Sequence, residues 1–267
     1  MTVAVIGAGK IGELVLSGLL RAGWPASELL VTTRRAERAE ELTERYGVRA
    51  VDNLTAVAEA DVLAITVKPQ DAGVLLAEIG AKIPPDRLVV SLCAGLPTSF
   101  FAARLGDGVP IVRVMTNTPA LVDQAMTAIS AGPHATGVHL AVAEEMFRPL
   151  GSTIRVPESQ QDAVTALSGS GPAYFYLLVE AMIDAGILLG LPRQVAHELI
   201  VQTAIGSAVM LRDSGEHPVT LREAVTSPAG TTISAIRELE NHGVRAALLA
   251  ALEAARDRAR EIAQQAN

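Results

Sequence analysis

Gly7, Gly9 and Gly12 stand in a G-x-G-x-x-G spacing, directly after an apolar run at residues 2–6 and directly before a helical pattern. Each position has a physical use if a pyrophosphate sits there. Gly7 permits the tight turn from strand to helix, Gly9 lacks a Cβ so that the anion can approach the main chain, and Gly12 lets the helix pack closely on the strand. The helix start adds unpaired N–H groups and the positive end of its dipole. The spacing alone is a weak signal, but its place between a strand and a helix makes a dinucleotide site the preferred reading. The end of the second apolar run then reads Thr32, Thr33, Arg34, Arg35, with no carboxylate where an NAD-binding chain holds the ribose diol. Guanidinium groups pair with phosphate through charge-assisted, bidentate bonds, so the reading is NADP(H) ahead of NAD(H).

A second set of residues lies in the C-terminal half. Val225, Thr226, Ser227, Pro228, Ala229, Gly230, Thr231 and Thr232 form a small-residue loop feeding a helix, and LSGSGPAY at 167–174 forms another. Loops of this kind present N–H groups and short hydroxyls to an anion such as a substrate carboxylate. For the first of them along the chain, close helix packing explains the glycines equally well. For the second, three threonines and a serine beside Gly230 favour binding over packing. Other chemistry finds little support. The five histidines lack metal-ligand spacing, and with a single cysteine no zinc cluster can be assembled. Cys93 lies in an apolar run and reads as a packed core residue, not a nucleophile. Lys68 follows an apolar strand and is read as lining the cofactor crevice.

These groups need a scaffold. In the first half, apolar runs at 29–33, 61–67, 88–92, 111–115, 125–131 and 153–156 alternate with helical patterns, among them 36–46 and 135–147. That order predicts a parallel sheet covered on both faces, an α/β Rossmann-type doubly wound domain over residues 1–158. From 159 to 267 no strand is expected; helices are predicted over 172–189, 192–212, 230–240 and 244–264. Several are apolar on more than one face, so this all-α domain is expected to dimerise. The 174–191 stretch is apolar but carries Glu180 and Asp184, which argues for a buried helix over a membrane span. The 267 residues are 49% apolar and 19% charged, with a net charge of −7. That composition is globular, and its acidity argues against nucleic-acid binding. The start of the chain reads as a strand, not a leader, and the expected location is cytoplasmic.

The chain resembles the pyrroline-5-carboxylate reductase family over nearly its whole length. The most specific part is the second loop with its helix, where Leu221, Val225, Thr226, Ser227, Ala229, Gly230, Thr232, Ala235, Ile236, Leu239 and Glu240 fall in the family's signature spacing. LSGSGPAY, VKPQ (67–70) and RVMTNTPALV (113–122) support it. Two positions depart: Thr116 stands where the family has proline, and Thr231 where alanine or glycine is common. The resemblance implies NADPH-dependent reduction of 1-pyrroline-5-carboxylate to L-proline, with NAD(H) as a second cofactor. It places Gly7, Ala8, Gly9, Lys10, Ile11 and Gly12 on the pyrophosphate and Thr33, Arg34, Arg35 and Asn53 around the adenosine ribose and its phosphate. Val67, Lys68, Pro69, Ala94 and Gly95 would line the nicotinamide end. Glu158, Ser227, Gly230, Thr231 and Thr232 would serve the substrate, with Thr232 hydrogen-bonding the ring nitrogen as hydride reaches the C=N carbon. It also implies a homodimer through the helical domain, and larger rings up to a decamer. Competing readings are a reductase of another cyclic imine, a β-hydroxyacid dehydrogenase, or a non-catalytic NADP-binding protein. The dehydrogenase needs a lysine in the helical domain, and none follows Lys82.

Overall fold

The computed structural model describes residues 1–266. Eight strands make one sheet: β1 (Val3–Ile6), β2 (Leu29–Thr32), β3 (Arg49–Ala50), β4 (Val62–Ile65), β5 (Leu88–Ser91), β6 (Ile111–Met115), β7 (Ala125–Ala131) and β8 (Gly151–Arg155). Between them run α1 (Lys10–Arg21), α2 (Ala36–Tyr46), α3 (Asn53–Glu59), α4 (Pro69–Ile79), α5 (Thr98–Ala102) and α6 (Gly137–Phe147). The strand order is β3-β2-β1-β4-β5-β6-β7-β8. It reverses direction between β1 and β4, so the crevice at their carboxyl ends is the place where such sheets take ligands.

Period-two alternation makes the two-faced core. Val3 and Val5 point to the side covered by Leu14, Val15 and Leu19 of α1 and by Met146 and Phe147 of α6. Ala4 and Ile6 point to the other side, where Ala56 and Val57 of α3, Leu75 and Leu76 of α4 and Phe100 and Phe101 of α5 pack. All four β1 residues are fully buried, as a strand with helices on both faces must be.

The expectation of a parallel sheet is corrected at one pair. β6 and β7 run antiparallel, with Val112 opposite Ala131 and Met115 opposite Ala128, while every other neighbouring pair is parallel. The physical reason is length: residues 116–124 are too few for the helical crossover a parallel return needs, usually a dozen residues or more. Thr116, the departure from the family's proline, closes this turn by a 2.9 Å hydroxyl–hydroxyl hydrogen bond to Thr127. The sequence reading also missed β3, only two residues long, and α3, whose N-cap Asp52 accepts from the N–H groups of Leu54 and Thr55.

The chain divides into two compact units, Met1–Ser170 with Ala254–Asn267, and Gly171–Glu253. In the first, the chain after β8 continues through α7 (Gln161–Val164) and a π-type turn over Thr165–Gly169. Gln161 is fully buried and donates to the Ser130 hydroxyl at 2.8 Å. The Asn117 amide donates to the Ser168 carbonyl at 3.2 Å, so the NTP and LSGSG motifs meet. A Cβ on Gly169 would collide with the Met115 side chain, which favours the packing explanation for this loop.

The second unit contains α8 (Gly171–Leu188), α9 (Arg193–Asp213), α10 (Pro218–Ala224), α11 (Thr231–Asn241) and the first part of α12 (Val244–Ala266). Helix α8 meets α9 closely at Gly186, where a Cβ would come within 2.9 Å of the Ala196 Cβ. The expectation of a buried helix here is corrected. Within one chain α8 buries only Ile183 and α9 only Ala196 among the described residues. Phe175, Tyr176, Leu177, Met182 and Leu188 are all at least half exposed. The 158–188 segment is long and apolar enough to cross a membrane by length and composition. It is interrupted, however, by the π-type turn and carries Asp184 in an ion pair with Arg193 at 3.0 Å. A helical layer this apolar and this uncovered draws its core from a second chain. Stability should therefore follow mass action: the denaturation midpoint is expected to rise with protein concentration across about a hundredfold range. A concentration-independent midpoint would show that a single chain folds completely.

Candidate functional site

The carboxyl ends of β1, β2, β4 and β5 carry most of the residues singled out in the first half of the sequence. Gly7 turns the chain with φ +85°, a region favouring glycine, and a Cβ there would strike Val67. The N–H groups of Gly7 and Ala8 both donate to the Thr32 carbonyl, at 3.1 and 2.8 Å. On the other side the Thr66 hydroxyl reaches the carbonyls of Ile6 and Gly7, at 3.1 and 3.0 Å. Gly12 sits over that hydroxyl; a Cβ would lie 2.7 Å from it.

Gly9 is exposed and is the N-cap of α1, with no side chain capping it. A Cβ built on Gly9 would meet only the Gly7 carbonyl, 3.8 Å away. The exposed residues Lys10 and Ile11 open the helix, whose first N–H groups have no intrahelical partner. An open surface lined by free N–H groups fits a pyrophosphate.

Behind this loop lies a cluster the sequence reading missed. The Arg38 guanidinium donates to the Ala8 carbonyl at 3.4 Å and pairs with Glu13 and Glu41. Glu13 also accepts from Arg45 at 3.0 Å and Tyr46 at 2.9 Å. Burial pushes the Glu13 carboxyl up, but the bonds from Arg38 and Tyr46 outweigh it and hold the group below the usual carboxylate range. The helical spacing of Arg38, Glu41 and Arg45 was visible in the sequence; their meeting with Glu13 depends on how α2 packs beside α1.

Thr33, Arg34 and Arg35 follow β2. The Arg35 main-chain N–H donates to the Thr33 hydroxyl at 3.4 Å, and Arg35 caps α2. Arg34 reaches across to α4 and holds both carboxylate oxygens of Asp71, at 3.0 and 3.4 Å. A carboxylate is thus present at this end after all, supplied by a different element. Asn53 opens α3 and donates to Glu78 of α4 at 3.0 Å.

Val67, Lys68 and Pro69 follow β4, with Lys68 exposed as the N-cap of α4. Ala94 and Gly95 follow β5. Gly95 has φ +78°, and a Cβ there would lie 3.1 Å from Ile262, so the end of α12 packs on this loop. Neighbouring Cys93 is buried, its thiol 3.4 Å from the Val67 carbonyl. Burial pushes that thiol up to about 12, opposed only in part by its bond with Ser91. The core reading of Cys93 therefore stands.

Glu158 is committed to the chain's own donors. It accepts from the Thr98 N–H and hydroxyl, both at 2.6 Å, and from Arg113 at 3.4 Å. Arg113 is buried and pairs also with Asp162 at 3.5 Å.

In the second unit, the 226–232 loop folds on itself. Thr226 donates to the Arg222 carbonyl at 2.6 Å, and the Gly230 N–H to the Ser227 carbonyl at 3.1 Å. Ala229 takes the left-handed conformation at φ +56°. Gly230 is the N-cap of α11, and a Cβ there would collide with the Ser227 hydroxyl. No side chain caps this helix, so its first N–H groups, beside the hydroxyls of Thr231 and Thr232, face no intrahelical partner.

Comparison with known proteins finds two family matches along the chain. Residues 158–262 match the family described as pyrroline-5-carboxylate reductase dimerisation, and residues 2–95 match one described as NADP oxidoreductase, coenzyme F420-dependent. The chain is 42% identical to the pyrroline-5-carboxylate reductase of Corynebacterium melassecola, over 98% of each chain. The corresponding Coxiella burnetii enzyme superposes with a TM-score of 0.89 at 35% identity, covering 98% of each chain. A Plasmodium falciparum pyrroline carboxylate reductase solved with NADP bound gives a TM-score of 0.89 at 26% identity, again over 98% of each.

An NAD(P)-binding α/β domain followed by a helical dimerisation domain defines an oxidoreductase that works as a homo-oligomer. The chain belongs to the pyrroline-5-carboxylate reductase family.

The raised Cys93 thiol gives a direct check. It should resist a thiol reagent in the native protein at pH 8 and react only on unfolding. The unfolded thiol ionises above about 9 while the folded one stays protonated to about 12, so folding stability tied to Cys93 is complete below that window. It is lost as pH rises through it, at up to about 1.4 kcal/mol per pH unit. A Cys93→Ala variant should lose that portion of the alkaline destabilisation; rapid native labelling at pH 8 would contradict the buried placement.

Proposed function

We propose that the protein reduces 1-pyrroline-5-carboxylate to L-proline with NADPH in preference to NADH, as a cytoplasmic homodimer able to assemble further, up to a decamer. In this reading residues 1–158 hold the cofactor, and residues 159–267 hold the substrate and dimerise. Support comes first from the uncapped start of α11, where free N–H groups, Ser227, Thr231 and Thr232 are gathered within one short loop. The full-length relatives carry the same enzyme name.

Gly7, Ala8, Gly9, Lys10, Ile11 and Gly12 bind the pyrophosphate through main-chain N–H groups. Thr33, Arg34, Arg35 and Asn53 surround the adenosine ribose and its 2′-phosphate. Val67, Lys68, Pro69, Ala94 and Gly95 orient the nicotinamide end. When bound, the reduced nicotinamide supplies a hydride.

The N–H groups between Ser227 and Thr232 hold the substrate carboxylate. The protonated ring nitrogen donates its N–H to the Thr232 hydroxyl oxygen, which holds the proton on the nitrogen and orients the C=N carbon toward the hydride. Hydride addition to that carbon converts the iminium to the amine, and no protein acid is needed because the proton arrives on the imine. Glu158 contributes by tying the start of α5 to Arg113. Most of the acceleration comes from positioning.

Loss of the Thr232 hydroxyl should misalign the C=N carbon with the incoming hydride and cost about 2–4 kcal/mol of the gain from positioning. Thr232→Ala is therefore expected to lower kcat roughly 30- to 1000-fold, and Thr232→Ser to restore most of it. Unchanged turnover in Thr232→Ala, measured by NADPH oxidation with this substrate, would remove the threonine from the mechanism.

A further inference from the structure

We propose that Asp71 sets how strongly this protein prefers the phosphorylated dinucleotide, by competing with the 2′-phosphate for the Arg34 guanidinium. The inference rests on the reading that Arg34 meets the 2′-phosphate, and it adds a residue that opposes that contact. Three observations carry it.

The first is topological. Arg34 follows β2 and Asp71 lies in the first turn of α4, which follows β4. β1 runs between these strands, so the ion pair links two loops that flank the glycine turn. The second is geometric. Both Asp71 oxygens face the Arg34 guanidinium, at 3.0 and 3.4 Å, so the bidentate face a phosphate would use is already taken. The third is the contrast with its neighbour. The Arg35 side chain forms no ion pair among the described residues, whereas Arg34 pairs with Asp71. Of the two guanidiniums at the β2 end, only Arg34 must leave a carboxylate to meet a phosphate.

The consequences differ for the two cofactors. A 2′-phosphate must displace Asp71 from Arg34 and then tolerate a carboxylate at close range. A dinucleotide with a free 2′-hydroxyl leaves the Arg34–Asp71 pair intact. The Arg34 side chain is 85% exposed, so the exchange occurs in water and its effect is modest. Asp71 thus narrows the NADPH-over-NADH ratio that Arg34 and Arg35 would otherwise impose.

The test is equilibrium binding of NADPH and of NADH to the intact protein at low ionic strength, by quenching of intrinsic fluorescence. The wild type, Asp71→Asn, Asp71→Ser and Arg34→Ala are compared, with a thermal melt to confirm folding. Both Asp71 variants are expected to bind NADPH about three- to tenfold more tightly, with NADH within about twofold of wild type and the gain shrinking at high salt. NADPH affinity that stays the same or weakens in both variants, while Arg34→Ala binds NADPH less well, overturns the role of Asp71 and leaves the phosphate reading standing. NADPH affinity unchanged in Arg34→Ala overturns the phosphate reading, and this inference with it.

Discussion

The rest of the first unit depends on one junction, the turn by which β1 becomes α1. Gly7 makes that turn in a left-handed conformation, and hydrogen bonds on both flanks hold it in place. The Thr32 carbonyl of β2 accepts two of its N–H groups, and the Thr66 hydroxyl following β4 holds its carbonyls. Three strand ends are therefore fixed to one another at the point where the sheet order reverses. Gly12, which admits no Cβ above Thr66, brings the helix down onto the same point. An uncapped helix start is costly when its N–H groups are buried, and stable when it faces solvent or an anion. The chain keeps this one open at Gly9.

Gly230 at the start of α11 likewise has no side-chain cap, as do the N-cap residues of α2, α4 and α9; what α1 and α11 share is a glycine at that position. In the proposed reading one end takes a pyrophosphate and the other a carboxylate, each met by main-chain dipoles instead of fixed charges. Such sites place few demands on side-chain chemistry. In that reading they let a chain with a net charge of −7 take anionic ligands without a matching cluster of basic side chains.

Much of this was legible in the sequence because it rests on local signals. The glycine spacing, the apolar runs and the small-residue loop each encode a backbone conformation over a few residues, and the bounds of α2, β6 and β7 follow from them. What escaped depends on contacts between distant segments. The antiparallel return of β7 comes from a loop too short for a crossover, yet β7 itself is as apolar as its parallel neighbours. Asp71 gave no sign of reaching Arg34, 37 positions away, and Arg38 none of bracing Ala8. The absence of an acid at the end of β2 was read correctly from the sequence. The carboxylate that stands there comes from α4, and only the fold reveals it. The exposure of α8 was misread for a related reason: apolar composition says that a helix must be covered, not which chain covers it.

The most direct test of the account is to mix purified protein with NADPH and 1-pyrroline-5-carboxylate, following cofactor loss by absorbance and proline by direct amino-acid analysis. The account requires one proline formed for each NADPH consumed, with a slower reaction when NADH replaces it. A folded protein that binds NADPH but forms no proline would contradict it, and would direct attention to other cyclic imines.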